Sequence, residues 1–395
     1  MPFLKEFASA PKQKKPGDKF FFITLLIGVA ALVWIWLTEK PSRPKTKSEI
    51  GTKTATREIK QSAPFSVMVM NKTNLPPNKT NATAIAQIKT SMIAPQVLVK
   101  TNEVPSGVFV ARPVRNILEA QVALARRGIS AGSIDGAIGS QTRAALRAFQ
   151  RSESLPVTGE LDALTKSKLI LTAPLYTEFF VSTNDFKRLQ PLGTNWLSKS
   201  QQSRLDYETI LEMVAEKANC HPEFLKQLNP AVNWTNAIAP MTVRLVNVEK
   251  PKQRTAAAFV RIRLAQKIMQ AFDANTNLLA HFPCSIAQRV EKRPVGELRV
   301  AVIVENPDYT FNPDIFPESI EARQIKTKLI LSPGPNNPVG TVWIGLDKPG
   351  YGIHGTPNPE AVGRTESHGC FRLANWNAEH LLRLVNVGTP IFVEP

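Results

Sequence analysis

Ser367-His368-Gly369-Cys370-Phe371-Arg372 lies near the C-terminus, with His354-Gly355-Thr356 beginning sixteen positions before the cysteine. A thiol is a good nucleophile only as thiolate. A histidine within hydrogen-bond reach can take its proton, provided a third group fixes the ring. Cys370 stands after a glycine and two residues before an arginine. Glycine lets a backbone approach closely, and a guanidinium pairs bidentately with carboxylates. The stretch therefore points to covalent acyl chemistry.

Outward from it, residues 252–395 carry strand signals. Phe259–Leu264 alternates apolar and basic residues. Lys267–Phe272, a turn at Asp273–Asn277, and Leu278–Ile286 read as a hairpin. Leu298–Val304 is apolar and β-branched, Trp343-Ile344 precedes a Gly345–Gly352 turn that leads to Ile353-His354, Asn377–Leu384 makes a short helix, and Pro390–Val393 a final strand. Pro307, Pro313 and Pro317 mark an irregular loop. The loop Ser332–Gly340 is rich in Gly and Pro but lacks the Gly-Lys-Ser/Thr of a phosphate loop.

The order Gly-Pro-Asn-Asn-Pro-Val-Gly (334–340), Ile-His-Gly-Thr (353–356), Val-Gly (362–363), Ser-His-Gly-Cys-x-Arg-Leu (367–373) and Gly-Thr-Pro (388–390) resembles the L,D-transpeptidase (YkuD-type) catalytic domain. The resemblance implies a mostly β domain with Cys370 as nucleophile and His354 as base, the ring oriented by the Gly355 carbonyl. His368 is the rival base. Adjacent positions along an extended chain point apart, so an orienting or substrate-shaping role is expected for it. Amides near Gly369 and Cys370 are candidates for an oxyanion hole. Arg372 and Ser367 are candidate substrate contacts, and Tyr351 and Trp343 either line the pocket or belong to the core. No cofactor is expected. His354, His368 and Cys370 are ligand types, but no second cysteine stands at a zinc-ligand spacing, so no metal is expected.

The chain holds three cysteines, Cys220, Cys284 and Cys370. That is too few for a disulfide framework, and a Cys220–Cys284 bridge is left open.

Upstream, residues 113–171 read as three short helices around a glycine-punctuated loop. Ile117, Leu118, Val122, Leu124 and Ala125 fall at helical spacing. Ser140 and Asp162 are expected to cap the second and third helices. Gln121, Gly128, Ile134-Asp135-Gly136, Gly139, Phe149-Gln150, Gly159 and Leu169 together resemble the peptidoglycan-binding domain type 1. Residues 203–248 read as helix, turn, helix and strand, with Leu228-Asn229-Pro230 similar to a LysM module. A spacer packed on the catalytic domain is the competing reading.

The net charge is +17, and residues 1–115 hold 18 Lys/Arg against 6 Asp/Glu. The surplus is thus expected in a solvated tail and linker rather than on a folded face. No nucleic-acid motif is present. Phe20–Leu37 is uncharged over 18 residues, at the lower edge of a membrane span. Trp34 and Trp36 sit near one end, and the segment lacks a small-residue cleavage site. Residues 38–112 are rich in Lys, Thr, Asn and Pro and cannot bury a core.

The expected architecture is α+β and multidomain. It comprises a basic tail at 1–19 on the cytoplasmic side, an anchor at 20–37 and a linker at 38–112. A wall-binding domain (113–171), a LysM-like segment (203–248) and a mostly β catalytic domain (252–395) follow, on the periplasmic side of an inner membrane. Peptidoglycan is the expected partner. By the resemblance, a Cys370 thioester with a stem peptide passes to an amine, to water or to a protein lysine. A non-catalytic wall-binding anchor is the alternative of another class.

Overall fold

The computed structural model describes residues 109–248, 255–316, 319–365, 367 and 369–395. The tail, the apolar run 20–37, the linker through residue 108, and His368 lie outside the described residues. Among the described residues, no helix is long and apolar enough to cross a membrane.

The first unit is helical. Helices α1 (Ile117–Arg126), α2 (Ser140–Ser152) and α3 (Ala163–Lys168) are tied off by β1 (Arg112–Pro113) pairing antiparallel with β2 (Ile170–Leu171). Asn116 caps α1 and Asp162 caps α3, each accepting a backbone N–H three residues on (2.9 and 2.8 Å). Ser140 does not cap α2: it is the first helical residue, and Gly139 precedes it without a side-chain bond. Two buried glutamines hold the loops. Gln121 donates to Asp135 Oδ1 (2.8 Å), and Gln150 donates to Thr165 Oγ1 (2.9 Å).

The second unit contains a strand the sequence did not announce. β3 (Tyr176–Val181) pairs antiparallel with β4 (Met241–Val246). Between them lie α4 (Thr183–Arg188), α5 (Trp196–Ser200), α6 (Ile210–Lys217) and α7 (Pro222–Leu228). The helix–helix–strand reading of 203–248 holds locally, and its strand finds its partner outside that segment. The two upstream units are not independent: Val122, Leu146 and Phe149 share one core with Met213, Val214 and Leu225.

The C-terminal unit is an eight-stranded sheet. Its strands are β5 (Phe259–Arg263), β6 (Ile268–Phe272), β7 (Leu278–Pro283), β8 (Gly296–Glu305), β11 (Val342–Leu346), β12 (Gly352–His354), β13 (Phe371–Arg372) and β14 (Pro390–Glu394), in the order β13-β12-β11-β8-β14-β5-β6-β7. The β5–β6 and β6–β7 hairpins are tight and antiparallel, whereas β14 pairs with β5 in parallel. The two outer strands meet. Just past β7, Ser285 exchanges both backbone bonds with Arg372 (3.0 and 3.1 Å), and Ser367 N donates to Ile286 O (2.8 Å). The sheet therefore curls on itself, and closure removes unpaired edges. Helix α9 (Asn375–Leu382) follows β13, two residues earlier than the sequence suggested, with Ala378 and Leu381 in the sheet core.

The stretch around Pro313 and Pro317, read as an irregular loop, contains β9 (Tyr309–Phe311) and α8 (Ile320–Gln324), and β9 pairs with β10 (Leu329–Leu331) beyond it. Trp196 of α5 stacks on Phe311 (centroids 4.4 Å) and closes a small separate core with Leu205 and Leu331.

The helical unit docks on β7 through the loop after α1. Ser130 N donates to His281 O (2.8 Å) and His281 N donates to Gly128 O (3.0 Å). Gly128 has φ +77°, and a Cβ there would lie 2.8 Å from Leu279 O and 2.9 Å from the His380 ring. Gly128→Ala is expected to destabilise the fold by about 1–3 kcal/mol and to raise hydrogen exchange at the Ser130 and His281 amides. Exchange at both sites equal to that of the native chain would show that this seam does not hold the units together.

Candidate active site

The site is built where two short strands run side by side. β12 and β13 pair in parallel, with Ile353 beside Phe371 and His354 beside Arg372. Side chains alternate along a strand. Ile353 and Phe371 enter the sheet core, where both are buried. Arg372 and His354 consequently share the opposite face, and Cys370 stands two residues before Arg372, in the bend that leads into β13.

His354 is buried, and its Nδ1 lies 2.6 Å from Gly355 O. A carbonyl oxygen only accepts, so Nδ1 carries the hydrogen and Nε2 presents its lone pair. The Trp343 ring stacks on the imidazole (centroids 5.8 Å). Burial, then Arg372, pushes His354 down to about 4, opposed by the Gly355 carbonyl. Cys370 keeps some solvent exposure, yet the protein packed around its sulfur pushes the thiol up to about 11. A backbone bond from Gly352 and the charge of Arg372 act the other way. The thiol donates to Gly350 O (3.7 Å). The resting pair is therefore a neutral thiol and a neutral imidazole.

Ser367 is placed differently from the expected substrate contact. It is buried, its hydroxyl donates to Cys370 O (2.5 Å), and it accepts from Gly369 N (3.3 Å). It shapes the turn that presents the thiol. A Cβ at Gly369 would meet nothing within 4 Å, so this glycine leaves open space rather than relieving a clash. Two residues along a strand share a face, so alternation does not separate His368 from Cys370. What distinguishes His354 is the fixed tautomer and the seat beside Arg372.

The sequence reading missed three residues that complete the site. Fully buried Asn375 is the first. Its Oδ1 accepts from Thr356 N (3.0 Å) and Thr341 N (3.3 Å). It fills the gap between two glycines: a Cβ on Gly355 would lie 2.2 Å from it, and one on Gly340 2.0 Å. The loop whose carbonyl orients His354 thus rests on one amide side chain. The paired glycines, 340 and 355, are the only sequence trace of it.

Glu216 of α6 is the second. Asn375 Nδ2 donates to both its oxygens (3.2 and 3.1 Å), and Tyr207 Oη donates to Oε1 (3.0 Å). Beside it, Asn336 Nδ2 donates to Glu212 Oε1 (2.6 Å) and to Asp206 O (3.1 Å). The second unit is thereby bonded to the loops around the imidazole. Tyr309 of β9 is the third. Burial, then Cys370, pushes its phenol up to about 12, while Arg372 draws it down.

Cys220 and Cys284 are buried free thiols, so the bridge left open by the sequence is not formed. Burial pushes both to about 12. Among the described residues, no three His, Cys, Asp or Glu side chains cluster as metal ligands do.

Comparison with known proteins agrees with this organisation. Residues 257–393 match the YkuD family model, described as the L,D-transpeptidase catalytic domain. Residues 114–169 match a model described as a putative peptidoglycan binding domain. The chain thus carries a YkuD-type catalytic domain behind a peptidoglycan-binding domain type 1. It is similar to a putative L,D-transpeptidase YkuD of Bacillus licheniformis, with 25% identity over 185 residues covering 47% of this chain and 93% of that one. It is also similar to the putative L,D-transpeptidase YqjB of Bacillus subtilis, with 37% identity over 25% of this chain and 51% of that one. Among solved structures, L,D-transpeptidase 3 from Mycobacterium tuberculosis aligns with 39% of this chain and 68% of its own, at 18% identity and a TM-score of 0.28.

Glu216 gives a test of the coupling. Burial, foremost, raises its carboxyl to about 7, with Glu379 and Glu212 adding to the rise; the bonds from Tyr207 and Asn375 oppose it. The folded value lies above the ordinary 4.5, so between the two the folded chain holds the proton more tightly. This contribution is complete below about 4.5 and is lost as pH rises through about 7. Urea melts are expected to show stability falling by about 2–4 kcal/mol more between pH 5 and 8 in the native chain than in Glu216→Gln. Parallel pH profiles would rule out the titration. Asn375→Ala, which leaves two amides and a carboxylate without their partner, is expected to cost about 2–4 kcal/mol in the same melts.

Proposed function

We propose that this protein is an L,D-transpeptidase that cross-links peptidoglycan through a Cys370 thioester. The observation carrying this reading is the pairing of His354 with Arg372, which stands two residues after Cys370, with His354 Nδ1 bonded to Gly355 O. Cys370 attacks the carbonyl of the diamino acid at stem position three as its proton passes to His354 Nε2. Amides near Gly369 and Cys370 receive the developing oxyanion. The imidazolium then protonates the departing D-alanine amine, leaving a thioester. A side-chain amine of a second stem attacks the thioester, its proton returning through His354 to the released thiolate. The product is a 3→3 cross-link, and no metal takes part. Because thiol and imidazole rest neutral, proton transfer accompanies attack, and Arg372 favours the charge that forms on sulfur.

Phe20–Leu37 anchors the chain in the inner membrane, residues 38–112 span outward, and the helical unit holds the wall. Residues 203–248, joined by Tyr176–Val181, form a LysM-like scaffold. Its bonds to Asn375 and Asn336 support a role in holding the catalytic loops in place.

The full chain mixed with a stem tetrapeptide is expected to gain a thioacyl mass on Cys370, absent in Cys370→Ala. His354→Ala is expected to slow adduct formation by about 10²–10⁴-fold, and His368→Ala by much less. An adduct indifferent to Cys370→Ala sinks the assignment, and the reverse order of the histidines makes His368 the base. Gly369→Ala, with no protein atom to strike, is expected to keep the melting temperature while slowing acylation.

A further inference from the structure

The folded part of the chain carries a charge imbalance that the sequence does not localise. Residues 116–395 hold only 5 of the 17 surplus positive charges, and the tail was expected to carry the electrostatics. The folded residues nonetheless gather basic side chains in one place. Where α2 faces the β5–β6 and β6–β7 hairpins, two cavities of about 350 and 470 Å³ share Arg151 as a wall. Arg147, Lys267 and Arg364 line the first, and Arg127, Arg261 and Arg263 the second. Glu153 pairs with Arg127, and Glu394 with Arg261 and Arg263. Arg147, Arg151, Lys267 and Arg364 have no carboxylate partner among the described residues.

Like charges gathered at a seam oppose one another unless an anion joins them. The strain is visible in the groups themselves. Arg151 is pulled below its ordinary value by partial burial, then by Arg263 and Arg147. The ring of His281, fully buried on β7, is pushed down to about 3 by burial and then by the field of Arg151, Arg147 and Arg263. Gln270 Nε2 donates to His281 Nδ1 (3.2 Å), which leaves a buried Nε2–H without a partner among the described residues. Arginine forks are shaped for two-oxygen anions. The seam is also a fixed structure, since loop 128–130 bonds to β7 and Gln141 Nε2 donates to Val362 O (2.7 Å).

We propose that this groove is a second binding site of the protein, one that takes the free carboxylates of peptidoglycan stem peptides beside the Cys370 cleft. The ligand class rests on the reading of the chain as a transpeptidase of peptidoglycan. The groove belongs to both matched domains at once, with α2 on one wall and the hairpins on the other. Arg364 stands in the loop that leads to Ser367, so a strand seated along Arg151 and Arg147 runs toward the turn that presents the thiol. The helical unit then binds wall as half of a composite site.

Co-sedimentation of the full chain, in detergent, with purified sacculi tests this. An Arg147→Gln/Arg151→Gln double variant is expected to bind at least about tenfold more weakly, and Arg364→Gln severalfold more weakly. The native chain should lose a similar factor on sacculi whose free carboxylates have been amidated. It should lose nothing on sacculi stripped of phosphate-bearing polymers. Unchanged binding by the variants, or unchanged binding to amidated sacculi, overturns the proposal. A loss seen only after stripping assigns the groove to a phosphate polymer and overturns it as well. Acylation of Cys370 by free tetrapeptide, run alongside, is expected to stay within about twofold in the variants. Its absence in the native chain counts against the transpeptidase reading alone, because sedimentation reports the groove separately.

Discussion

The two-residue pairing of β12 with β13 is the contact on which the site depends. It is short, parallel and flanked by closure of the sheet onto Ser285 and Ile286. A parallel pair this short has little stability of its own. It persists because β13 is held on both sides, Arg372 exchanging both backbone bonds with Ser285 while Leu373 N donates to His354 O. The curled sheet thus does for Cys370 what a long strand would do elsewhere: it fixes the direction of the side chain without lengthening the strand. Ser367, bonded to Cys370 O and Ile286 O, sets the turn just before Cys370.

Around that pair the buried polar groups form a chain rather than isolated contacts. Tyr207 bonds Glu216, Glu216 bonds Asn375, and Asn375 bonds the amides of Thr341 and Thr356. Each member is satisfied by the next, and in a low-dielectric interior an unsatisfied member would be costly. The consequence is architectural. Half of this chain comes from α6 and the loop before it, so the catalytic unit does not own the whole of its active site. A segment that reads as an accessory module is, in packing terms, part of the wall behind the imidazole.

Local signals in the sequence were reliable where the physics is local. Asp162 caps α3 because an acid at that offset meets an orphan N–H whatever lies nearby. The hairpin at 268–283 follows from two apolar runs around an Asp-Ala-Asn-Thr-Asn turn. Cys370 and His354 stand out in the sequence as a candidate pair because a thiol and an imidazole are the residue types that covalent acyl chemistry needs. Long-range partners were not legible. β3 is exposed along most of its length, so Tyr176–Val181 shows no clean alternation, and its partner lies beyond four helices. Asn375 is an ordinary first residue of a helix until Gly340 and Gly355 are folded against it. The arginine groove draws on α2, β5, a turn and a distal loop, and none of these is basic enough alone to stand out.

The three cysteines show why acidity alone does not define the nucleophile. Cys220 and Cys284 are pushed to about 12 and Cys370 to about 11, so all three rest as thiols at neutral pH. The difference lies in what surrounds each sulfur once a carbonyl arrives. Cys370 has partial access to solvent, a guanidinium two residues on that lowers the cost of its thiolate, and an imidazole of fixed tautomer on the neighbouring strand. The other two are buried, out of reach of substrate. A thiolate formed only during attack is also protected from oxidation between turnovers, since thiols oxidise mainly through the anion. Keeping Cys370 neutral at rest is thus compatible with reactivity, provided that the base and the oxyanion donors are already positioned. The Asn375 chain and the closed sheet supply that positioning.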